Sequence, residues 1–545
     1  MSTVFFHSFL FVFIIYSNGL FFLKKLLKSK IEFNFYEISL LGLLLTLFIS
    51  PLINFFVPLN DIVIIINFIF SLVFLYFYKK IFFQSLKVNL KIIFLVGVLI
   101  LVNIYGSDFS DDLEHYHYGF ITNSDELNLI WGNSFLHPLY GTSSLWLTGH
   151  SYFNFDHSRL IDIHILNGLL LFLILSLFLN EIISKEKNFF FLKNFIFALV
   201  IFILIKYTRL KEFGIDRPAI LLFCFSIYFY LKYILMGRKN DLLKNFILLF
   251  IISLVILSIK IIYLPILIFP LFIFFKFKKE LFKINYNYFF ILFFIFIFFF
   301  KSLISTGCLI FPFEISCLKF LSWSNHLGAA DLSYLGEVFN KSWTSYTGNL
   351  DKISYIKNFN WFETWFARGK IEILEYFLTI FLIIFITYFS FDTKATYTDK
   401  VTYNLDILRL SLILIIFSSI FIYFFKNPVL RMNHHVLISF MILSISFFTI
   451  NYKNKEKKYL INTFLIFAFI FAFYKNFLRI NDNGFINNPK STISSKITKP
   501  NKRQLDNFEY SIGWYGSAPI GNQDISNKKH VKFLIFNIIS NKSYK

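Results

Sequence analysis

Residues 91-KIIFLVGVLILVNIY-105 are almost entirely apolar and predict the end of a membrane-spanning helix. The chain then turns polar in 106-GSDFSDDLEHYHYGF-120. Two adjacent carboxylates directly after a span can act as a general base, bind a metal ion, or simply face water. The transition therefore predicts a membrane fold with a candidate site just outside it. The polar stretch holds four acids and two histidines: Asp108, Asp111, Asp112, Glu114, His115 and His117.

Composition places the chain among helical membrane proteins. It has 545 residues, 57% of them hydrophobic, and a mean hydropathy of +0.64. Its apolar runs of about 17–22 residues match the thickness of a bilayer core. A β-barrel is excluded, because its strands would alternate over about ten residues. We expect an all-α polytopic membrane protein.

Hydropathy predicts about 14 spans. Basic residues collect in alternate connections, which the positive-inside rule assigns to the cytoplasmic side. This explains the net charge of +21 without nucleic acid. The alternation stays in phase only if 243–276 crosses twice, turning near Lys260. The predicted spans lie near 4–23, 37–57, 60–78, 90–105, 160–180, 189–206, 217–236, 243–259, 261–276, 287–304, 372–391, 406–425, 434–450 and 459–475.

All long connections fall on the opposite side, which we predict to be the periplasmic face of a bacterial inner membrane. They are the outer loops 106–158 and 305–370. We therefore expect a membrane domain over 1–475 and a small periplasmic tail over 476–545. Within that tail, the alternation in 531-VKFLIFNII-539 predicts a strand.

The second large loop contains two cysteines in 306-TGCLIFPFEISC-317. An oxidising periplasm would permit a disulfide between Cys308 and Cys317. The alternative is two free thiols buried at the membrane surface.

The span that ends near residue 105 and the Asp-bearing first outer loop that follows it resemble the arrangement of the glycosyltransferases of the GT-C type. These multi-pass enzymes take a sugar from a polyprenyl-phosphate carrier and place an acid in their first large outer loop. The resemblance is strongest to an uncharacterised bacterial membrane-protein family with GT-C-like architecture, and it spans most of the membrane part. The similar stretches are 111-DDLEHYH-117, 132-GNSFLHPLYGTSS-144, 214-GIDRPAI-220, 257-LSIKIIYLP-265, 305-STGCLIFPFEISCLKFLSW-323 and 427-NPVLRMN-433.

The resemblance implies that Asp111 and Asp112 are the catalytic acids, because they are the pair within the similar stretch. Where GT-C enzymes usually carry one clear acid, Asp108 and Glu114 compete with them here. If the loop turns helical after Ser110, Asp111 and His115 share one face. The acids and histidines could also hold a divalent cation, so a metal requirement stays open.

A phosphate-bearing donor needs cations near the outer leaflet. Lys260 interrupts an apolar stretch and is either a turn lysine or an anion ligand. Arg431 stands at an outer span entry, where a guanidinium can hold a phosphate through two hydrogen bonds. Asp216, flanked by Arg209, Lys211 and Arg217, could pair with Arg217, cap the next span or join the site.

Histidines supply the remaining candidates. His137 precedes Pro138 in the first outer loop and could donate to a phosphate or position the acceptor. His115, His117, His434 and His435 are further options, although a single histidine is more often structural than catalytic.

These observations predict a membrane glycosyltransferase that moves a sugar from a polyprenyl-phosphate-type donor to a glycan, lipid or protein acceptor. Asp111 or Asp112 would take the proton of the acceptor hydroxyl, and Lys260 and Arg431 would stabilise the leaving phosphate. One alternative is a surface-polysaccharide polymerase or ligase, which would rely on Arg and His. Others are a transporter or flippase for a lipid-linked glycan, and a non-catalytic envelope scaffold.

Overall fold

The chain folds into a bundle of α-helices followed by short β-strands. In the part that the structure describes, nine helices are long and apolar enough to cross a membrane, and four shorter apolar helices accompany them. The architecture is that of an all-α membrane protein, while the total of 14 spans and the GT-C arrangement stay predictions. The computed structural model describes residues 2–26, 33–107, 112, 116–142, 144–155, 164–184, 190–207, 216–236, 242–282, 287–342, 352–356, 359–391, 399–448, 457–482, 501–505, 508–512, 520–521, 525 and 528–541.

The helices and strands are numbered in chain order. The helices are α1 (Ser2–Phe21), α2 (Phe35–Phe56), α3 (Asp61–Phe77), α4 (Lys79–Tyr105), α5 (Tyr118–Glu126), α6 (Pro138–Gly141), α7 (Leu145–Tyr152), α8 (Ile165–Ile183), α9 (Phe190–Lys206), α10 (Asp216–Met236), α11 (Leu242–Ile259), α12 (Ile268–Phe282), α13 (Asn287–Thr306), α14 (His326–Ser342), α15 (Lys352–Ile356), α16 (Phe362–Ser390), α17 (Asp399–Phe425), α18 (His434–Phe448) and α19 (Lys458–Asp482). The strands are β1 (Asn501–Leu505), β2 (Phe508–Ile512), β3 (Ile520–Gly521), β4 (Lys528–Phe533) and β5 (Phe536–Asn541).

The central helices differ from the peripheral ones in burial. In their most apolar segments, 94% of α8 and 89% of α10 is buried, against 22% of α16. A helix that is apolar on every side and buried lies at the centre of a bundle. The exposed apolar side chains of α16, such as Phe381 and Phe385, are suited to contact lipid instead.

Helices α1 and α2 pack at very short range through two glycines. A Cβ atom on Gly19 would lie 2.0 Å from the carbonyl oxygen of Ile38, and one on Gly42 would lie 1.7 Å from that of Ile15. Any larger residue would force the main chains apart. Small residues at a helix contact are a common way to bring membrane helices together.

Three predicted spans begin later than the helices that contain them. We predicted a span from residue 90, but α4 already begins at Lys79; α16 and α17 likewise begin at Phe362 and Asp399, rather than near 372 and 406. Lysine and glutamate are good helix formers, so charge ends the apolar segment without ending the helix.

One end of the bundle carries the first outer loop, and we call it the loop end. There the Asn54 side chain near the end of α2 donates to the carbonyl oxygen of Ser124 at 2.8 Å. The Lys301 ammonium near the end of α13 donates to the carbonyl oxygen of Ser144 at 2.7 Å. The first loop therefore rests on the ends of several apolar helices, and α5, α6 and α7 lie within it.

The C-terminal strands form two small sheets. Strands β1 and β2 pair antiparallel, with β3 parallel to β2, and β4 and β5 form an antiparallel hairpin. The prediction of one strand over 531–539 is wrong, because the chain reverses at Leu534 and Ile535. Leu534 adopts a left-handed conformation with φ 55°.

The hairpin adds its second strand to the first outer loop. The Trp131 amide donates to the carbonyl oxygen of Asn537 at 2.9 Å, and the Ile539 amide donates to that of Trp131 at 3.0 Å. Ile539 and Tyr510 share one apolar core with loop residues that include Phe120 and Phe135. The C-terminal strands and the first loop therefore pack as one layer at the loop end.

Candidate functional site

Lys260 and Asp216 form an ion pair at the loop end. Helix α11 ends at Ile259, and Lys260 itself is extended, with φ −150° and ψ 117°, before a 3₁₀ helix begins at Ile261. Asp216 is the first residue of α10. Their side chains are 13% and 26% exposed, so the pair is largely removed from solvent. The break in the helix is what directs the Lys260 side chain towards the start of α10.

His117 of the first loop joins this pair. It is buried, and its imidazole interacts electrostatically with both Asp216 and Lys260. Burial lowers the pKa of His117 to about 3, with Asp216 raising it and Lys260 lowering it. The imidazole is therefore neutral at pH 7 and can exchange hydrogen bonds, but it does not supply positive charge to a phosphate.

A row of rings links His117 to His137. The Tyr116 ring lies 4.2 Å from that of His117 and 5.9 Å from that of His137, between ring centroids. His137 also stacks on Tyr140 at 5.0 Å. The Nδ1 atom of His137 accepts a hydrogen bond from the Leu139 amide at 3.1 Å, which caps α6. His137 thus has a structural role in capping α6.

Two further buried histidines, His150 and His164, lie near His117. His150 of α7 and His164 just before α8 are both buried. Burial lowers the pKa of His150, and His117 and His164 lower it further. Sequence reasoning did not select either residue, because only the folded chain brings them towards His117.

A second polar group lies on the other side of Asp216. His434, the first residue of α18, is within electrostatic reach of Asp216 and Arg217. Its Nδ1 atom hydrogen-bonds with the Tyr207 hydroxyl, and its ring lies 4.3 Å from that of Tyr376. The site therefore extends from the first loop across α10 to the start of α18.

His435 and Lys206 complete this second group. The His435 ring lies 4.4 Å from that of Tyr263, three residues beyond Lys260. Lys206 pairs with Glu375 at 2.5 Å and lies over the Tyr376 ring at 4.2 Å. Residues from α9, α16 and α18 therefore meet beside Asp216.

Most of the residues of this candidate site lie within a match to a known protein family. Residues 1–438 match the family described as a domain of unknown function, DUF8201. The chain belongs to this family. The match includes His117, Asp216, Lys260 and His434, and it ends before α19 and the C-terminal strands of this DUF8201 protein. Searches of curated proteins and of solved structures found no match.

Several predicted site residues lie outside the part of the chain that the structure describes. Asp111 and His115 lie outside the described residues, as do Arg209 and Lys211. Asp112 is described and exposed, five residues before His117, so it lies within about 17 Å of that residue along the chain.

Arg431 enters the structure through its backbone. It belongs to the short 3₁₀ helix Leu430–Met432, three residues before His434, and its side chain lies outside the described part. The position at the start of α18 places the Arg431 backbone close in sequence to the second polar group. Its predicted role towards a phosphate stays a prediction.

Lys301 is a buried lysine that sequence reasoning missed. It is 2% exposed, and its Nζ atom lies 5.3 Å from the centre of the Phe120 ring. The signal was available, because Lys301 is the lone charge in the apolar run of α13. Its contact with Ser144 brings a second lysine to the first loop.

The described residues contain no group of three or more His, Cys, Asp or Glu side chains suited to hold a metal ion. The predicted metal ligands Asp111 and Asp112 are described only at Asp112.

The second outer loop packs against the first outer loop. Cys308 and Cys317 are joined by a disulfide. The Phe311 ring packs against Gly141, where a Cβ atom would lie 2.7 Å from the ring. The Asn325 amide also donates to the carbonyl oxygen of Ser134 at 3.3 Å. The second outer loop thus contacts the first loop on both sides of His137 and Tyr140, at Ser134 and at Gly141.

Proposed function

We propose that this DUF8201 protein is a membrane glycosyltransferase with a polyprenyl-phosphate-type donor and a cell-envelope acceptor on the periplasmic face. The observation that carries the proposal is the convergence of His117, Asp216 and Lys260 at the loop end. They come from three separate segments that the sequence selected, and His117 lies five residues after Asp112 of the Asp111-Asp112 pair.

Asp111 or Asp112 takes the proton of the acceptor hydroxyl as its oxygen attacks the anomeric carbon. The new glycosidic C–O bond forms while the bond to the carrier phosphate breaks, and the phosphate leaves with the bonding electrons. Lys260 stabilises this leaving group by exchanging part of its contact with Asp216 for the phosphate. Neutral His117 orients an oxygen of the donor or acceptor through a hydrogen bond.

An apolar groove supports a lipid-linked substrate. It lies between α1, α2 and α3, has a volume of about 520 Å³ and is open at one side. Leu45, Ile49 and Ile53 of α2 line it, together with Tyr152 of α7. Its length along α2 is about 12 Å from Leu45 to Ile53. One hydrocarbon chain of a carrier lipid suits such a groove.

Transfer by membranes that contain the variant protein tests the proposal. A radiolabelled polyprenyl-phosphate hexose and isolated envelope acceptors are the substrates, and labelled glycan is the product. We expect Asp111→Asn with Asp112→Asn to abolish transfer, and Lys260→Met to lower its rate on the order of 100-fold. Glu126→Gln changes an acid of the same loop and should have no effect. Unchanged transfer by the double Asp variant would refute the proposal.

A surface-polysaccharide polymerase or ligase is the second candidate. It is favoured by one observation: Arg217 and two histidines, His434 and His435, lie together, whereas Asp112 is exposed. Polymer length in envelope extracts separates the two candidates. Short or missing polymers in Arg431→Gln and His434→Asn, with wild-type polymers in the double Asp variant, would select this second candidate.

A further inference from the structure

The tip of the C-terminal hairpin exposes apolar side chains. Leu534 is 76% exposed, Ile535 49% and Val531 39%. The two tip residues form the turn between β4 and β5, so their side chains are not needed for the core beneath the hairpin. Strand β4 carries the exposed lysines Lys529 and Lys532, one on each face of the strand. An apolar tip flanked by cations is the pattern of a segment that enters the lipid interface.

The tip lies beside the ends of two membrane-spanning helices. Phe536, which follows Ile535, has its ring 4.7 Å from that of Phe55 in the last turn of α2. The Phe55 ring lies 5.1 Å from that of Phe300 in α13. The Asn128 amide also approaches the carbonyl oxygen of Ile535 at 3.4 Å. The hairpin is therefore held at the level where α2 and α13 end.

The apolar surface of the tip continues into the surface that faces lipid. Phe56 and Val57 at the end of α2 are exposed, and so is Ile62 at the start of α3. The Trp131 and Trp323 rings lie 4.8 Å apart beneath the hairpin. Tryptophans are enriched where membrane proteins meet the headgroup region.

We propose that the Leu534–Ile535 tip inserts into the lipid headgroup and acyl boundary and anchors the C-terminal strands to the membrane. Lipid is the occupant because the tip adjoins the exposed apolar residues at the end of α2 and is flanked by lysines that suit anionic headgroups. The anchor lies outside residues 1–438 that match the family, and it stands independently of sugar transfer.

A fluorescent label tests the insertion. Cys308 and Cys317 are joined in a disulfide and Cys224 is buried, so a cysteine introduced at residue 534 can be labelled selectively. Leu534→Cys carries an environment-sensitive dye in vesicles of phosphatidylcholine and phosphatidylglycerol, at a low ratio of protein to lipid. Gln504→Cys, at an exposed position in β1 of the same tail, is the matched control.

We expect nitroxide-labelled lipids to quench the dye at residue 534 several-fold more than at residue 504, and aqueous iodide to do the reverse. Equal quenching of both positions by iodide would overturn the proposal. Protection of residue 534 that appears only as protein density rises would also overturn it, because a second copy of the chain would then cover the tip.

Discussion

Asp216 forms an ion pair with Lys260 between two helices. Asp216 is the first residue of α10, and Lys260 is the extended residue that directly follows the end of α11. The pair fixes the lysine at the loop end in the position where the proposed phosphate would lie. His117 then approaches both charges from the first loop. The arrangement of the candidate site around Lys260 and His117 therefore depends on the stability of this ion pair.

A double-mutant cycle of Asp216→Asn and Lys260→Met should give a coupling energy of about 1–3 kcal/mol in the free energy of unfolding. The pair is mostly buried, so removing one partner leaves the other poorly solvated. Unfolding by sodium dodecyl sulfate in mixed micelles measures it. The exposed pair Glu314 and Lys319 is the control cycle and should give less than about 1 kcal/mol.

Replacing His117 with Asn should make the free energy of unfolding less dependent on pH in the acid range. The folded-state pKa of His117 is about 3 and its ordinary value is 6.5, so only the unfolded chain binds this proton between those values. Stability therefore rises with pH through this window and falls as pH drops below 6.5. The variant should lose up to about 1.4 kcal/mol per pH unit of that slope. Unfolding at pH 7, 6 and 5 measures it, and an unchanged slope would contradict the burial of His117.

Gly42→Ala should lower the free energy of unfolding by about 1–3 kcal/mol, because the added methyl group would overlap the main chain of α1. Gly97 lies in α4 with open space around its missing Cβ, so Gly97→Ala is the matched control. That change should be neutral or stabilise the protein by up to about 1 kcal/mol. Equal losses in both variants would show that glycine is needed for another reason.

Lys232 holds two buried carboxylates at the bundle end opposite the loop end. Its ammonium lies 3.1 Å from Glu37 and 3.3 Å from Glu181, and the Tyr228 hydroxyl donates to Glu181 at 2.6 Å. Lys232→Met should cost about 3–5 kcal/mol, since it leaves two acids buried without a cation. Thermal unfolding in detergent measures the loss. Adding Glu37→Gln and Glu181→Gln should restore much of it; no recovery would mean that the lysine stem itself carries the stability.

The sequence was sufficient for the apolar helices and insufficient for their ends. Runs such as 91–105 can only be buried in protein or lipid, so their helices were predictable. The beginning of α4 was not, because Lys79, Lys80 and Lys87 tolerate a helix as well as a loop. The hairpin turn at Leu534 was hidden for a different reason. Neither Leu534 nor Ile535 is one of the glycine or asparagine residues that normally mark such a turn.

The site was predictable where a single charge interrupts an apolar run. Lys260 was selected on that signal, and Lys301 carries the same signal in α13. No sequence signal distinguishes His150 and His164, because they become candidates only through their proximity to His117 in the folded chain. Asp216 was selected, yet its pairing with Lys260 depends on how α10 and α11 are placed in space.

The hydrogen bonds between Trp131 and β5 also set an order of assembly. Trp131 leaves the ribosome roughly 400 residues before its strand partner, so its main-chain groups lack that partner until β5 has been synthesised. During that time the first loop has an open edge, and the apolar core that it shares with Tyr510 and Ile539 is incomplete. Completion of the loop end is thus coupled to the arrival of residues 528–541, which makes a finished chain distinguishable from a truncated one.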